Sequence, residues 1–262
     1  MGGQAGRHAL SQRRSLPHPA PVQRSEADLL SQFRCNGSDG YLTWLDDALG
    51  IKPAEEPVAD LDYDFRVFDD PNALFEAIAE KNAASGKSRV VAGYCWEWDS
   101  DKRSNPNHHD IVLPDHDFRK SWNLASTATW AVDDNSLDQI GCVHTAQGLE
   151  FDWVGVIIGD DLRFEDDRLF TDHTKRAKSD ASLKGIKSLA KSDPSRAHRI
   201  ADEIIRNTYR VLMTRGMRGC YAFCTDPGVA DYLRSRQPSS TIPAPYSARP
   251  RQLPLIAESV ED

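Results

Sequence analysis

The chain has 262 residues, 39% apolar and 27% charged, with a net charge of −8. That balance describes a soluble globular chain of one large or two small domains. No apolar run approaches the roughly eighteen residues of a membrane-spanning helix, and residues 1–14 lack the apolar core of a secretory leader, so a cytoplasmic, membrane-free protein is expected. An acidic chain is also a poor generic nucleic-acid binder, because such binding is driven by neutralising phosphates. The five cysteines, at 35, 95, 142, 220 and 224, form no Cys-x-x-Cys, and three sit in apolar runs. Reduced, buried thiols are expected, with no metal bound.

Residues 1–25 mix Gly, Ser, Pro, Gln and Arg with almost no apolar period and read as disordered. The folded domain is placed over residues 26–236. A short helix is predicted over Gly40–Leu49 and a strand over Phe65–Phe68. Asp70-Pro71 then offers a capping carboxylate followed by a proline suited to a first helical turn, a signal that recurs at Asp193-Pro194 and Asp226-Pro227. Gly86 is read as the C-cap of the first of these helices. Further strands are predicted over Ser88–Tyr94, Ile140–His144, Trp153–Ile158 and Cys220–Cys224. Several of these are apolar on successive residues, as strands covered on both faces should be. Strands alternating with helical patterns predict a parallel sheet with crossover helices, a three-layer α/β sandwich.

Asp160–Asp193 reads as an irregular insertion, placed at about residues 160–195. Charge is uneven here: Asp46–Asp64 is acidic, whereas Lys175–Arg199 carries eight Lys/Arg against two Asp, a local +6. Within this block Lys184, Lys187 and Lys191 are candidates for phosphate-backbone contacts. The helix from Pro194 to Met213 is amphipathic, with Ile200, Ile204, Thr208 and Val211 or Leu212 on the predicted core face and Arg199, Glu203, Arg206 and Arg210 on a charged stripe. Thr214-Arg215-Gly216 is read as its end, with a left-handed Gly216 and a strand from Gly219. This would fix Arg215 at the rim where open α/β sheets bind ligands. From Gln237 to residue 262 five prolines predict a disordered tail.

Three features imitate sites. Ser85-Gly86-Lys87-Ser88 contains the Gly-Lys-Ser of a phosphate loop, but it follows a helix and precedes a strand, the reverse of what presents backbone N–H groups to phosphate. Asp160-Asp161 after a strand imitates a magnesium site and is read as loop. His108-His109-Asp110 with Asp115-His116-Asp117 matches no standard zinc spacing. Trp96, Trp98 and Trp122 have the chemistry to stack bases, though packing under a loop explains them, with Trp96 and Trp98 sharing strand parity.

Gln147-Gly148-Leu149-Glu150-Phe151-Asp152, followed by the apolar run to Ile158, resembles motif V of superfamily 1 helicases, and Arg210–Arg218 resembles motif VI. Leu30-Ser31-Gln32-Phe33-Arg34-Cys35 looks like the family's short motif IV. Together with Asn36-Gly37-Ser38-Asp39-Gly40 and Ala92-Gly93-Tyr94-Cys95-Trp96, their wording resembles the Schlafen group 3-like DNA/RNA helicase domain over about residues 27–233. The resemblance implies a RecA-like P-loop NTPase C-terminal domain, acting on single-stranded DNA or RNA with ATP and Mg²⁺. It implies that Arg34 and Arg215 reach the γ-phosphate, that Gln32, Gly148 and Glu150 contact the nucleotide, with Glu150 on the ribose, and that His144 and Thr145 face the nucleic acid. Gln147 stands where many relatives carry lysine. No matching phosphate loop precedes these motifs, so an ATPase half encoded separately is the expected partner and the chain alone is expected to be inactive. A non-catalytic binding module, or a metal-dependent nuclease on the His108–Asp117 loop, remain the other readings.

Overall fold

The computed structural model describes residues 35, 38–102, 104–122, 130 and 136–240. All of them fall in one compact unit. The elements are α1 (Asp39–Ala48), β1 (Asp60–Leu61), β2 (Asp64–Phe68), α2 (Pro71–Ser85), β3 (Ser88–Ala92), β4 (Ile111–Leu113), β5 (Phe118–Trp122), β6 (Gln139–Gly141) and β7 (Phe151–Ile158). They continue with β8 (Leu162–Glu165), β9 (Arg168–Thr171), α3 (Ile186–Ser192), α4 (Pro194–Met213), β10 (Gly216–Cys224), α5 (Pro227–Arg236) and β11 (Ser239–Ser240).

A seven-stranded sheet runs in the order β2-β10-β7-β3-β6-β5-β4. Every pair in it is parallel except the β4–β5 hairpin. Because strand side chains alternate between faces, β10 sends Cys220, Ala222 and Cys224 into one core and Tyr221 and Phe223 into the other. The first core is closed by Tyr41 and Leu45 of α1, Ile205, Tyr209 and Leu212 of α4, and Val229 and Leu233 of α5. The second is closed by Leu74 and Ile78 of α2. Helices thus cover both faces, and the fold is the expected RecA-like three-layer sandwich. Full burial of side chains such as Ile205 and Leu212 contributes roughly 1.5–3 kcal/mol each.

The three Asp-Pro helix starts form as the sequence reads. Asp70 accepts from Asn72 N, Asp193 from Arg196 N and Asp226 from Gly228 N, each with proline in the first turn. α2 ends on left-handed Gly86 (φ 74°), and Ser88, fully buried, already belongs to β3. The Gly-Lys-Ser is therefore a helix-to-strand joint.

Five local expectations are corrected. β3 stops at Ala92 and β6 at Gly141, so Trp96 and Trp98 lie on a loop and share no strand face. Trp122 is buried, its Nε1 donating to Gly141 O at 3.2 Å, which removes it as a base-stacking group. The stretch 160–193 is built rather than irregular: β8 and β9 pair as a hairpin, and α3 packs Ile186 on Ala197 and Ala201 of α4. On α4 Thr208 and Leu212 are buried as predicted, but the rest of the buried row is Ala197, Ala201, Ile205, Tyr209 and Met213, with Ala201 and Ile205 one residue on from the predicted Ile200 and Ile204. The small alanines make room for α3, and that tertiary contact outweighs the larger side chains that set the sequence pattern. Finally, Gly216 is not left-handed. The cap is Thr214 (φ −93°), and β10 begins at Gly216 with a register shift before Gly219. Glycine is required there because a Cβ would stand 2.0 Å from Gly219 O.

Past α5 the chain continues into β11, where Ser239 and Ser240 pair with Asp60 and Leu61. The predicted disordered residues 1–25 and most of the proline-rich tail lie outside the described residues.

Candidate functional site

α4 leads to the amino-terminal rim of the sheet, where β7 and β10 begin side by side. Arg215 stands between helix and strand. Its carbonyl accepts from Phe151 N at 2.8 Å, and its Nη1 donates to Leu149 O at 3.4 Å. The residues resembling motifs V and VI are thereby fastened to each other by backbone and side chain. Arg215 is only 8% exposed, so its guanidinium is held rather than free to sweep.

Carbonyls at the end of α4 and the start of β10 would otherwise be orphaned. Tyr41 OH donates to Met213 O at 3.0 Å, Tyr63 OH to Gly216 O at 2.8 Å, and Cys35 Sγ to Thr214 O at 3.7 Å. Tyr41 and Tyr63 stack at 3.9 Å between centroids, and burial raises both phenols well above their ordinary range, so they remain donors. Cys35, the last residue of the stretch resembling motif IV, is therefore joined to motif VI. Arg34 and Gln32 lie outside the described residues.

The turn before β7 is set by Thr145, whose hydroxyl accepts from Cys142 N at 2.7 Å and donates to Cys142 O at 3.0 Å. Gly148 follows with φ +78°, a left-handed value suited to glycine, and a Cβ there would meet nothing within 4 Å. Glu150 is exposed beside it. Gly148, Glu150 and Arg215 thus share the amino rim. His144, exposed, sits at the other end of this crossing, its ring 5.9 Å from that of Tyr94 just past β3.

Arg215 was expected at the rim where open α/β sheets bind ligands, which is the carboxyl rim. It stands at the amino rim instead, because α4 runs back along the sheet before β10 starts.

Lys184, Lys187 and Lys191 are exposed on and just before α3. That helix packs on Ala197 and Ala201, roughly 20 Å or more from Arg215 along α4 at about 1.5 Å per residue. The structure therefore gathers Gly148, Glu150 and Arg215 at the amino rim and sets the lysines apart beside the start of α4, with His144 just beyond β6.

The sequence concealed a buried ionic network behind the carboxyl rim. Arg176 Nε is 2.6 Å from Asp161, its Nη1 2.6 Å from Asp180, and its Nη2 donates to Thr208 at 2.8 Å. Tyr209 OH donates to Asp161 and accepts from Gly159 N at 3.0 Å. Burial raises the Asp161 carboxyl, with Arg176 opposing it, and pushes the Cys95 thiol well up. Asp161 is fully buried, whereas Asp160 is exposed and accepts from Thr225. The adjacent aspartates are thus committed to different surroundings. Among basic residues 175–199, Arg176 looks in sequence like one more solvated cation; the one available signal is its spacing of four from Asp180.

Of the paired His/Asp segments, Asp110 accepts from Trp122 N at 3.0 Å and faces His108 at 3.3 Å, while His116 faces Asp70 at 3.8 Å. Among the described residues no group of three or more His, Cys, Asp or Glu is placed to hold a metal ion. No described helix is long and apolar enough to cross a membrane.

A RecA-like sandwich whose motif-bearing turns meet at one rim defines the class: a helicase-like α/β domain. Comparison with known families assigns it further. The Schlafen group 3, DNA/RNA helicase domain matches residues 4–226, and the chain belongs to that family. The uncharacterised protein YPL245W of Saccharomyces cerevisiae is similar, 27% identical over 237 residues, which cover 81% of this chain and 48% of that protein. The chain thus spans about half the length of that relative. No solved structure matches significantly.

Proposed function

We propose that this domain is the second RecA-like half of a superfamily 1 helicase-like ATPase, lending arginines to a nucleotide held against another half and guiding single-stranded DNA or RNA. The observation that carries this reading is the double fastening of Arg215 to the turn at Leu149 and Phe151. A guanidinium fixed in advance stabilises charge on transferring phosphoryl oxygens without reorganising. The amino rim fits such a ligand: Gly148 leaves open space over its backbone, and exposed Glu150 supplies acceptors for ribose hydroxyls. ATP with Mg²⁺ supplies the phosphoanhydride chemistry. Arg34 is assigned the second γ-phosphate contact and Gln32 a nucleotide contact by family resemblance. His144, Thr145 and the three lysines are assigned to the strand.

The burial of Arg215 favours one competing reading, a non-catalytic module in which this arginine only braces two turns. A single reconstitution separates the two. The chain by itself should hydrolyse ATP no faster than buffer, and a half bearing Gly-x-x-x-x-Gly-Lys-[Ser/Thr], joined or added in trans, should restore nucleic-acid-stimulated turnover. Arg215→Lys keeps the charge but loses the planar fork, so turnover should fall by about 10²-fold or more while the melting curve barely moves. Arg34→Ala should act similarly and Lys87→Ala should not. Normal turnover in a nucleotide-binding pair lacking both Arg34 and Arg215 would overturn the assignment.

A further inference from the structure

The carboxyl ends of β3, β7 and β10 enclose a cavity of about 320 Å³, at the rim opposite Arg215. Its position is topologically marked. β3 and β7 are neighbours, but the chain leaves β3 toward β6, β5 and β4 and leaves β7 toward β10. Neighbouring strands whose connections diverge open a crevice between their carboxyl ends, where open α/β sheets take ligands. The volume lies at the small end of the roughly 300–1,000 Å³ spanned by small-molecule sites.

The turn between β4 and β5 closes one side with His116 and an exposed carboxylate, Asp115, and the remaining lining has three chemistries. Trp96 provides an aromatic wall, lying close over Gly159, where a Cβ would stand 3.4 Å from the indole. Across from the β7 end, Phe223 is met edge-on by His116 at 5.2 Å. At the rim, Asp160 accepts the Thr225 hydroxyl at 2.7 Å through one oxygen, leaving the other for a donor. Lys175 brings an exposed ammonium that forms no ion pair among the described residues. Two carboxylates, Asp115 and Asp160, repel a simple anion, and Lys175 opposes a simple cation. A planar base, a ribose diol and a phosphate together satisfy all three.

We propose that this cavity binds one ribonucleoside 5′-phosphate, with the base against Trp96, the ribose hydroxyls on Asp160 and the phosphate on Lys175. The unit comes either as a free nucleotide or as one residue of an RNA strand. Lys175 opens the basic stretch that continues along the chain to Lys178, Lys184, Lys187 and Lys191. The loop carrying Trp96 is tied to that stretch, since Ala177 N donates to Tyr94 O at 2.9 Å and Lys178 N to Glu97 at 2.7 Å. The inference is independent of the role given to Arg215.

The test is calorimetric or NMR titration of the full chain with AMP, dAMP and adenosine. AMP should bind tightest, with dAMP and adenosine each weaker by about tenfold, the loss of one charge-assisted contact. Asp160→Asn should weaken AMP and erase its advantage over dAMP. Lys175→Ala, on a separate exposed segment, should erase the advantage over adenosine, so a poorly folded Asp160→Asn protein leaves the test intact. A short oligoribonucleotide binding far more tightly than AMP, and still sensitive to Asp160→Asn, identifies a strand residue; equal affinity identifies the free nucleotide. Equal binding of all three ligands to wild type and both variants overturns the proposal. So does AMP binding lost in Arg215→Lys but kept in Asp160→Asn, which places the nucleotide at the amino rim, and so does no saturable binding at millimolar ligand.

Discussion

Replacing Arg176 by methionine keeps much of the side-chain volume and removes the cation. The ion pairs of Arg176 with Asp161 and Asp180 have side-chain exposures of only 1%, 0% and 1%, so water cannot replace what is lost. Two carboxylates would face each other in the interior, Thr208 would lose a donor, and Tyr209 would be left bonding an uncompensated charge. Breaking a buried pair in this way costs about 3–5 kcal/mol, against a total domain stability of about 5–15 kcal/mol. The loss should appear in urea unfolding as a lower midpoint at unchanged slope. Adding Asp161→Asn removes one stranded charge, so the double variant should be less destabilised than the two single losses combined, by about 1–3 kcal/mol. A single variant within about 1 kcal/mol of wild type would refute the argument, because it would show that the network is worth no more than a surface ion pair.

The pH dependence of Asp161 tests the same site differently. Its carboxyl is raised in the fold by burial, so the native state binds more protons than the unfolded state between the ordinary carboxylate value of 3.8 and the raised one. Stability from this group is therefore full below the unfolded value and is lost as pH rises through the folded one. Urea midpoints should show the wild-type advantage over Asp161→Asn widening as pH falls from neutral through that window; a narrowing gap would reverse the assigned direction. At the surface, neutralising Lys184, Lys187 and Lys191 together should flatten the salt dependence of single-strand binding by about 2 in log–log slope, at about 0.7 per phosphate contact. Fluorescence anisotropy reads this directly, and an unchanged slope would move the contact to other residues.

The parts of the fold governed by local chemistry were legible in the sequence. Asp70, Asp193 and Asp226 each needed only a proline neighbour and a free N–H to declare a helix start, and runs such as Val154–Ile158 declared buried parallel strands. What depended on tertiary contact was not. The facing of α4 held at Thr208 and Leu212 but was off by one residue at Ile200 and Ile204, because α3, 186–192, takes the alanine row, which no pattern within 194–213 encodes. Arg206 and Arg210 read as a solvated stripe, yet Arg206 donates to Leu49 O at 2.6 Å and Arg210 binds Asp46 through two nitrogens. Gly216 announced a turn, but its reason is the approach of Gly219 O three residues on. For the candidate site, nothing in the sequence indicated which rim the motif-like turns occupy, since that follows from strand order and the return path of α4.

That return path constrains any mechanism the domain takes part in. α4 is about 30 Å long and joins the two rims, with Arg215 just past one end and the Lys184–Lys191 segment packed near the other. No single ligand atom can touch both groups. The Tyr209 hydroxyl bonds Gly159 N and Asp161 and lies 3.9 Å from Cys95, a residue of the carboxyl-rim cavity, while the Tyr209 backbone is little more than a turn from the cap at Thr214. Gly93 permits the contact, because a Cβ there would stand 2.2 Å from the Tyr209 hydroxyl. A shift of the loops after β3 and β7 therefore meets a rigid phenol on α4 rather than an adaptable apolar surface.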